Sequence, residues 1–298
     1  MAEQAYICYD RRRRALSTRW LQSWGDAGLL FLRTLQTVTL LDPHGQALTR
    51  LAVGRRDAAT LNLAGGEANR VTVTADDDRS WLLYSRSAKS PVGHRAGKSH
   101  HETTPVAVAF PRFVGDEEHV HVGLPVRSVG LPFRFAGQFD PLANRRGLAD
   151  SEWNLDLVGL VVDLWLDAVL DLFRIDASSA WAAVPLIEEY KADALSAGQL
   201  NDALSGTLMT ESLLELAERL LLMGRDSTEH PLRDLAFETP DLTGILTDED
   251  IRALAGTPTS LPLLTGLATA GGGTSSLASP TSGQRLRPWS TSRPQFNS

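Results

Sequence analysis

The chain has 298 residues, of which 43% are hydrophobic, with one cysteine and a formal net charge of −7. That length allows one large or two modest hydrophobic cores. The lone Cys8 excludes an internal disulfide, and no apolar leader pattern follows Met1, so a reducing cytoplasm is the expected setting.

The mean charge hides an asymmetry. Residues 1–112 carry 16 Lys/Arg against 10 Asp/Glu, whereas residues 113–255 carry 10 against 26. The Arg11–Arg14 run has no aromatic residues interleaved with it for stacking on bases, which argues against nucleic acid as the partner of this basic front.

In chain order, Trp20, Leu21, Trp24 and the run Leu29 to Leu32 predict an apolar helical lead-in within residues 1–34. From Leu35 to Phe139 the dominant signal is period-two alternation, as in Thr37–Leu40, Arg70–Thr74 and His119–Val122. Turn residues fall between these runs: Asp42-Pro43-His44-Gly45, Gly65-Gly66, Asp76-Asp77-Asp78 and Gly115-Asp116-Glu117. Antiparallel hairpins are therefore expected. The polar stretch Ser87–Thr104, with Gly93, Gly97 and Lys98, reads as a long loop.

After Phe139 the period changes. Ser151 is placed to cap a helix starting at Glu152, with helical apolar spacing through Phe173. Trp153–Phe173 is long enough to cross a membrane, but Asp156, Asp163, Asp167 and Asp171 make it too costly at bilayer depth, so no membrane is expected as partner. At 100° per residue these aspartates share one narrow stripe, which reads as the solvated edge of the helix. Further helices are expected at about Leu186–Leu204 and Leu208–Met223, and a short one near Thr247–Asp250, where a hydroxyl and three acids suit a helix N-terminus. Beyond Gly256 the composition falls to Gly, Ser, Thr and Pro.

The expected fold class is α+β: an antiparallel or mixed sheet over about 35–139, a helical segment over about 151–255, and a disordered tail. The expected divisions are a lead-in (1–34), a β-rich domain (35–150), a helical domain (151–255) and the tail (256–298).

Several groupings could carry chemistry. His94, His100, His101, His119 and His121 account for five of the seven histidines, and His119 and His121 project from one face of a strand, with Asp116, Glu117 and Glu118 close in sequence. A metal site centred on His119 and His121 is one reading, and an exposed polar hairpin is the other. No Gly-x-Ser-x-Gly elbow is present. Glu188 with Glu189, and Glu215 with Glu218, read as solvent-facing charges, while Trp153, Trp165 and Trp181 read as core. Spacing alone would pair Arg145 and Arg146 with acids of the following helix, such as Glu152 or Asp156.

The most informative run is Gly123-Leu124-Pro125-Val126, then Gly130 to Phe139 (GLPFRFAGQF), then Asn144-Arg145-Arg146-Gly147-Leu148, then Trp153-Asn154. This order of strand, arginine turn and Trp-Asn helix resembles sacsin-type proteins, which share the split ATP-binding fold of the ninety-kilodalton heat-shock chaperones (the GHKL class). The match covers about residues 105–173, and 27–86 more loosely, as the exit from an ATP-binding half.

The resemblance implies a chaperone-type ATPase or molecular switch in which Arg145, with Arg146 as the alternative, senses the terminal phosphate. A guanidinium suits that role, since it stays protonated and presents a planar fork of donors. ATP and Mg²⁺ are implied for a complete member, together with a protein partner or client. The motifs that hold the nucleotide are not found in this sequence: there is no Asp-x-Gly-x-Gly turn, no Gly-rich lid and no Gly-x-x-x-x-Gly-Lys-Ser/Thr. No cofactor-binding residue is therefore expected here, and the chain alone is expected neither to bind ATP appreciably nor to turn it over. The alternatives are a non-catalytic protein-interaction module and a metal-binding protein using the His94–His121 cluster.

Overall fold

The structure, a computed structural model, describes residues 3–8, 26–42, 44–91, 102–112, 119–122, 124–128, 131–143, 147–185, 208–223 and 228–235. Its class is mixed α+β, as the change of hydrophobic period at Phe139 predicts. The strands are β1 (Glu3–Cys8), β2 (Leu35–Leu41), β3 (Ala47–Leu63), β4 (Gly66–Ala75), β5 (Ser80–Lys89), β6 (Thr103–Pro111), β7 (His119–Val122), β8 (Leu124–Ser128) and β9 (Arg134–Gly137). They form one nine-stranded sheet in the order β1-β2-β3-β4-β5-β6-β9-β7-β8. From β2 to β6 each strand runs antiparallel to the next, while β1 on β2 and β7 on β9 are parallel.

Two expectations change here. The front is not purely helical, because Glu3–Cys8 is a strand and Asp26–Leu29 is a single 3-10 turn; Trp20 and Trp24 lie outside the described residues. The supposed loop Ser87–Thr104 is shorter, since Ser87 pairs with Pro105 and Lys89 with Thr103 at the open end of the β5–β6 hairpin. Polar side chains hide these strand ends from a pattern based on apolar alternation.

The 17-residue β3 pairs with β2 through its first half and with β4 through its second. Between Arg56 and Ala59 its register slips, and Asp57 takes a left-handed conformation (φ 55°). Such a bulge bends the strand and adds twist. The sheet curls far enough that the 3-10 turn touches β8 and the Phe31 ring lies 4.6 Å from that of His121.

Alternation then sorts the side chains onto two faces. The concave face gathers Val38, Leu40, Leu51, Val53, Val73, Trp81, Leu83 and Ala109 around Leu29 and Leu30. Arg55 tethers the turn from β3, donating to the carbonyls of Leu29, Leu30 and Leu32 at 2.9–3.2 Å.

The convex face presents Leu82, Tyr84, Val106, Val108, Phe110, Phe133 and Phe135 to helix α1 (Glu152–Ile175). Ser151 caps α1 by accepting from the Asn154 N–H at 3.3 Å, as expected. Trp165 is fully buried, stacks on Phe133 with centroids 5.9 Å apart and donates to the Ala183 carbonyl; Trp153 is also core. Trp181, on the short helix α2 (Ala177–Ala182), meets Phe173 edge-on at 4.9 Å.

Helix α3 (Met209–Arg219) ends four residues before the expected Met223, because Leu221–Met223 leaves it as strand β10 and pairs with β11 (Glu229–Pro231). The expected helices at Leu186–Leu204 and Thr247–Asp250, and the tail 256–298, lie outside the described residues. Among those residues, no helix is long and apolar enough to cross a membrane.

Candidate functional site

Two constructions stand out, at opposite ends of α1. The first surrounds the arginine turn. Arg145, Arg146 and Asn144 themselves lie outside the described residues, and so does any pairing with Glu152 or Asp156; the chain on either side of them is fixed in detail. The Leu142 N–H donates to the Gly147 carbonyl at 2.9 Å, Pro141 and Leu148 form a β-bridge, and the Ala149 N–H donates to the Asp140 carbonyl at 2.8 Å. These bonds make a closed stem.

Asn154, fully buried in the first turn of α1, holds that stem from below. Its Oδ1 accepts from the Asp140 N–H at 2.8 Å, and its Nδ2 donates to the carbonyls of Asp140 (2.9 Å) and Ala149 (2.7 Å). One acceptor and two donors are the bonding groups of an amide side chain, and each has a partner on one strand of the stem or the other. Beside it, Trp153 Nε1 donates to the Gln138 carbonyl at 3.0 Å. The Trp-Asn pair of the sequence motif is thus a clamp on the base of the turn.

The second construction lies under the C-terminal half of α1. Asp156 and Asp163 are exposed, but Asp167 and Asp171 are only 4% and 9% accessible. The reading of all four aspartates as a solvated edge is therefore corrected: the stripe runs from solvent into the sheet. Helical period tells which residues share a stripe, not what that stripe faces.

It faces arginines on the convex side of β4 and β5. Arg86 Nη2 lies 2.6 Å from Asp167 Oδ2, which also accepts the Gly65 N–H at 2.8 Å, and Arg219 of α3 reaches Asp167 Oδ1 at 3.3 Å. Asp171 Oδ2 accepts from Arg70 (2.6 Å) and from the Tyr84 hydroxyl (2.8 Å). Burial and the adjoining Asp171 charge push the Tyr84 pKa far above the ordinary phenol range. For Arg70, burial opposes the charge, yet the bonds and charge of Asp171 outweigh it and raise its pKa.

Gly65 makes room for this pair: a Cβ at that position would lie 2.3 Å from Arg86 Nη1 and 2.9 Å from Asp167 Oδ2, so a larger residue would have to displace the two side chains. The Gly65-Gly66 pair closes a β-hairpin, and its N–H serves a carboxylate of the chain itself, so it is not a phosphate cradle.

Above Asp167 opens a cleft of about 610 Å³, bordered by Gly65, Lys89, Asp163, Glu215 and Arg219. Asp163, exposed on this rim, still has its pKa raised, first by partial desolvation against the neighbouring surface and then by the charges of Asp167 and Glu215, with Arg86 opposing. No sequence motif brings Arg70, Arg86 and Tyr84 forward; arginines and a tyrosine on one face of adjacent, otherwise apolar strands are the signal that could have found them.

Of the clustered histidines, His121 is the one whose side chain is described. His121 is fully buried on the concave side against Phe31, so this part of the hairpin is not exposed. His119 is in β7, but its side chain lies outside the described set, as do His94, His100, His101, Asp116, Glu117 and Glu118. Among the described residues, no group of three or more His, Cys, Asp or Glu is gathered to hold a metal ion. Glu215 bonds Arg219, and Glu218 bonds Arg233; both glutamates are exposed, as expected. No protein-family model, curated protein or solved structure matches the chain.

Proposed function

We propose that this chain is the region following the ATP-binding half of a sacsin-like, chaperone-type switch, and that it offers an arginine, Arg145 or Arg146, to the terminal phosphate of a nucleotide held by that other half. The observation that carries the reading is the Asn154 clamp. A phosphate-sensing arginine is useful only when its backbone is held in place before the phosphate arrives, because positioning and fixed charge are what the protein contributes to phosphoryl transfer. Asn154 and Trp153 fix both sides of the turn's stem to a buried helix. The clamp also gives a physical reason for Trp-Asn to follow the arginine turn at this spacing. ATP and Mg²⁺ belong to the complete assembly, and the arginine's part is to stabilise charge on the phosphate oxygens.

The test is ATP turnover by a protein or complex that unites this chain with its nucleotide-binding half. Arg145→Ala or Arg146→Ala should slow turnover by roughly a thousandfold or more while nucleotide binding is kept. Unchanged turnover in both variants would reject the reading, as would tight ATP binding by the isolated chain in calorimetry.

A further inference from the structure

We infer that residues 208–223 and 228–235 form a detachable unit, latched onto α1 by the ion pair between Arg219 and Asp167. Helix α3, strands β10 and β11 and the 3-10 turn Leu232–Asp234 pack on one another, and the Leu232 N–H donates to the Leu220 carbonyl at 2.8 Å. The main attachment of this unit to the rest of the described molecule is α3 on α1. Its apolar part is Leu213, Leu216 and Leu220, all buried in the main core, with Leu208, Leu222 and Leu232 partly buried against it, while Leu214, Leu221 and Met223 are half-exposed on its outside.

The polar part of the attachment is unusual in its stoichiometry. Asp167 is already paired with Arg86 and bonded by the Gly65 N–H, so its buried charge is compensated without α3. Arg219 adds a second cation to the same carboxylate, from a side chain one-third accessible to water at the edge of the cleft. Withdrawing Arg219 returns it to solvent and leaves Asp167 paired; withdrawing Arg86 would strand a buried charge. The two bonds to one carboxylate therefore differ in kind: one is structural, the other can open. Opening uncovers Leu213, Leu216 and Leu220 together with the α1 surface beneath them. The same helix carries the stem clamp at Asn154, thirteen residues or about 20 Å away along its axis. The latch goes beyond the nucleotide reading and stands without it.

Amide hydrogen exchange on the full chain tests the latch. Arg219→Met keeps the aliphatic stem and removes the charge. Exchange across Met209–Arg219, Leu221–Met223 and Glu229–Pro231 should then accelerate together by about threefold, with β4, β5 and the middle of α1 unchanged. Arg219→Lys should recover part of the protection, and raising the salt concentration should speed exchange of the same unit in the wild type. Unaltered exchange in Arg219→Met would overturn the inference. So would an acceleration spread equally over α1 and the sheet, since the unit would then not be separable.

Discussion

The two ends of helix α1 are fastened to the sheet by different chemistry. At the N-terminal end a neutral amide, Asn154, and an indole, Trp153, bond backbone groups of the arginine-turn stem. Further along, charged pairs join Asp167 to Arg86 and Asp171 to Arg70. Neutral bonds to backbone hold a geometry largely independent of salt and pH. Buried ion pairs tolerate little loss, because either partner left alone is a charge without solvent. A turn that must present an arginine needs the first kind of fastening; the second commits α1 to the sheet, and the contact that can open is the added, one-third accessible Arg219.

The comparison is broken most severely at Asp167. Replacing it with Asn leaves Arg86, 7% accessible, without its counter-ion, and should cost about 3–5 kcal/mol in urea unfolding. A loss below about 1 kcal/mol would mean that Arg86 finds water or another acid. Asn154→Leu should come next, at about 2–3 kcal/mol, since the Asp140 N–H and the Ala149 carbonyl lose their bonds to the buried amide and the Asp140 carbonyl loses one of two donors. Its cost should stay constant between low and high salt; a salt-dependent cost would contradict the neutral character assigned to that end.

The smallest effect should come from Asp163, one turn before Asp167, and should have the opposite sign. Its pKa is raised in the folded state, so the folded protein holds the proton more firmly than the unfolded chain does. Its negative charge therefore works against folding once pH rises above the ordinary carboxylate range, and that penalty vanishes as pH falls below it. Asp163→Asn should raise the Tm slightly at neutral pH, with the gain disappearing in acid. A loss of stability at neutral pH would show that the carboxylate has a favourable partner.

Much of this fold is legible in the sequence, for reasons tied to particular residues. The strands at Thr37–Leu40 and Arg70–Thr74 announce themselves because threonines alternate with apolar residues along them, although Thr39 and Thr72 are themselves buried beside Val38 and Val73. Helix α1 is readable from Ser151 onward because a capping hydroxyl and a long apolar period agree. The fate of Asp167 and Asp171 is not, because local period carries no information about a sheet formed 80 to 100 residues earlier. Nor does the motif Trp153-Asn154 disclose what it holds, since the reach of Asn154 back to Asp140 depends on the chain reversing between them. Strand β1 escapes a local reading because its partner, β2, lies beyond a long intervening segment.

Gly65 and Asp167 meet across 102 positions of sequence. During synthesis every strand of the large sheet leaves the ribosome before α1 does, so its convex face waits uncovered. Arg70, Tyr84 and Arg86 keep that waiting face wet and discourage it from stacking on another nascent sheet. The acids of α1 then extinguish those charges when the helix docks. The buried ion pairs are in this sense the record of an order of assembly: groups that protect the unfinished sheet become the groups that receive its cover.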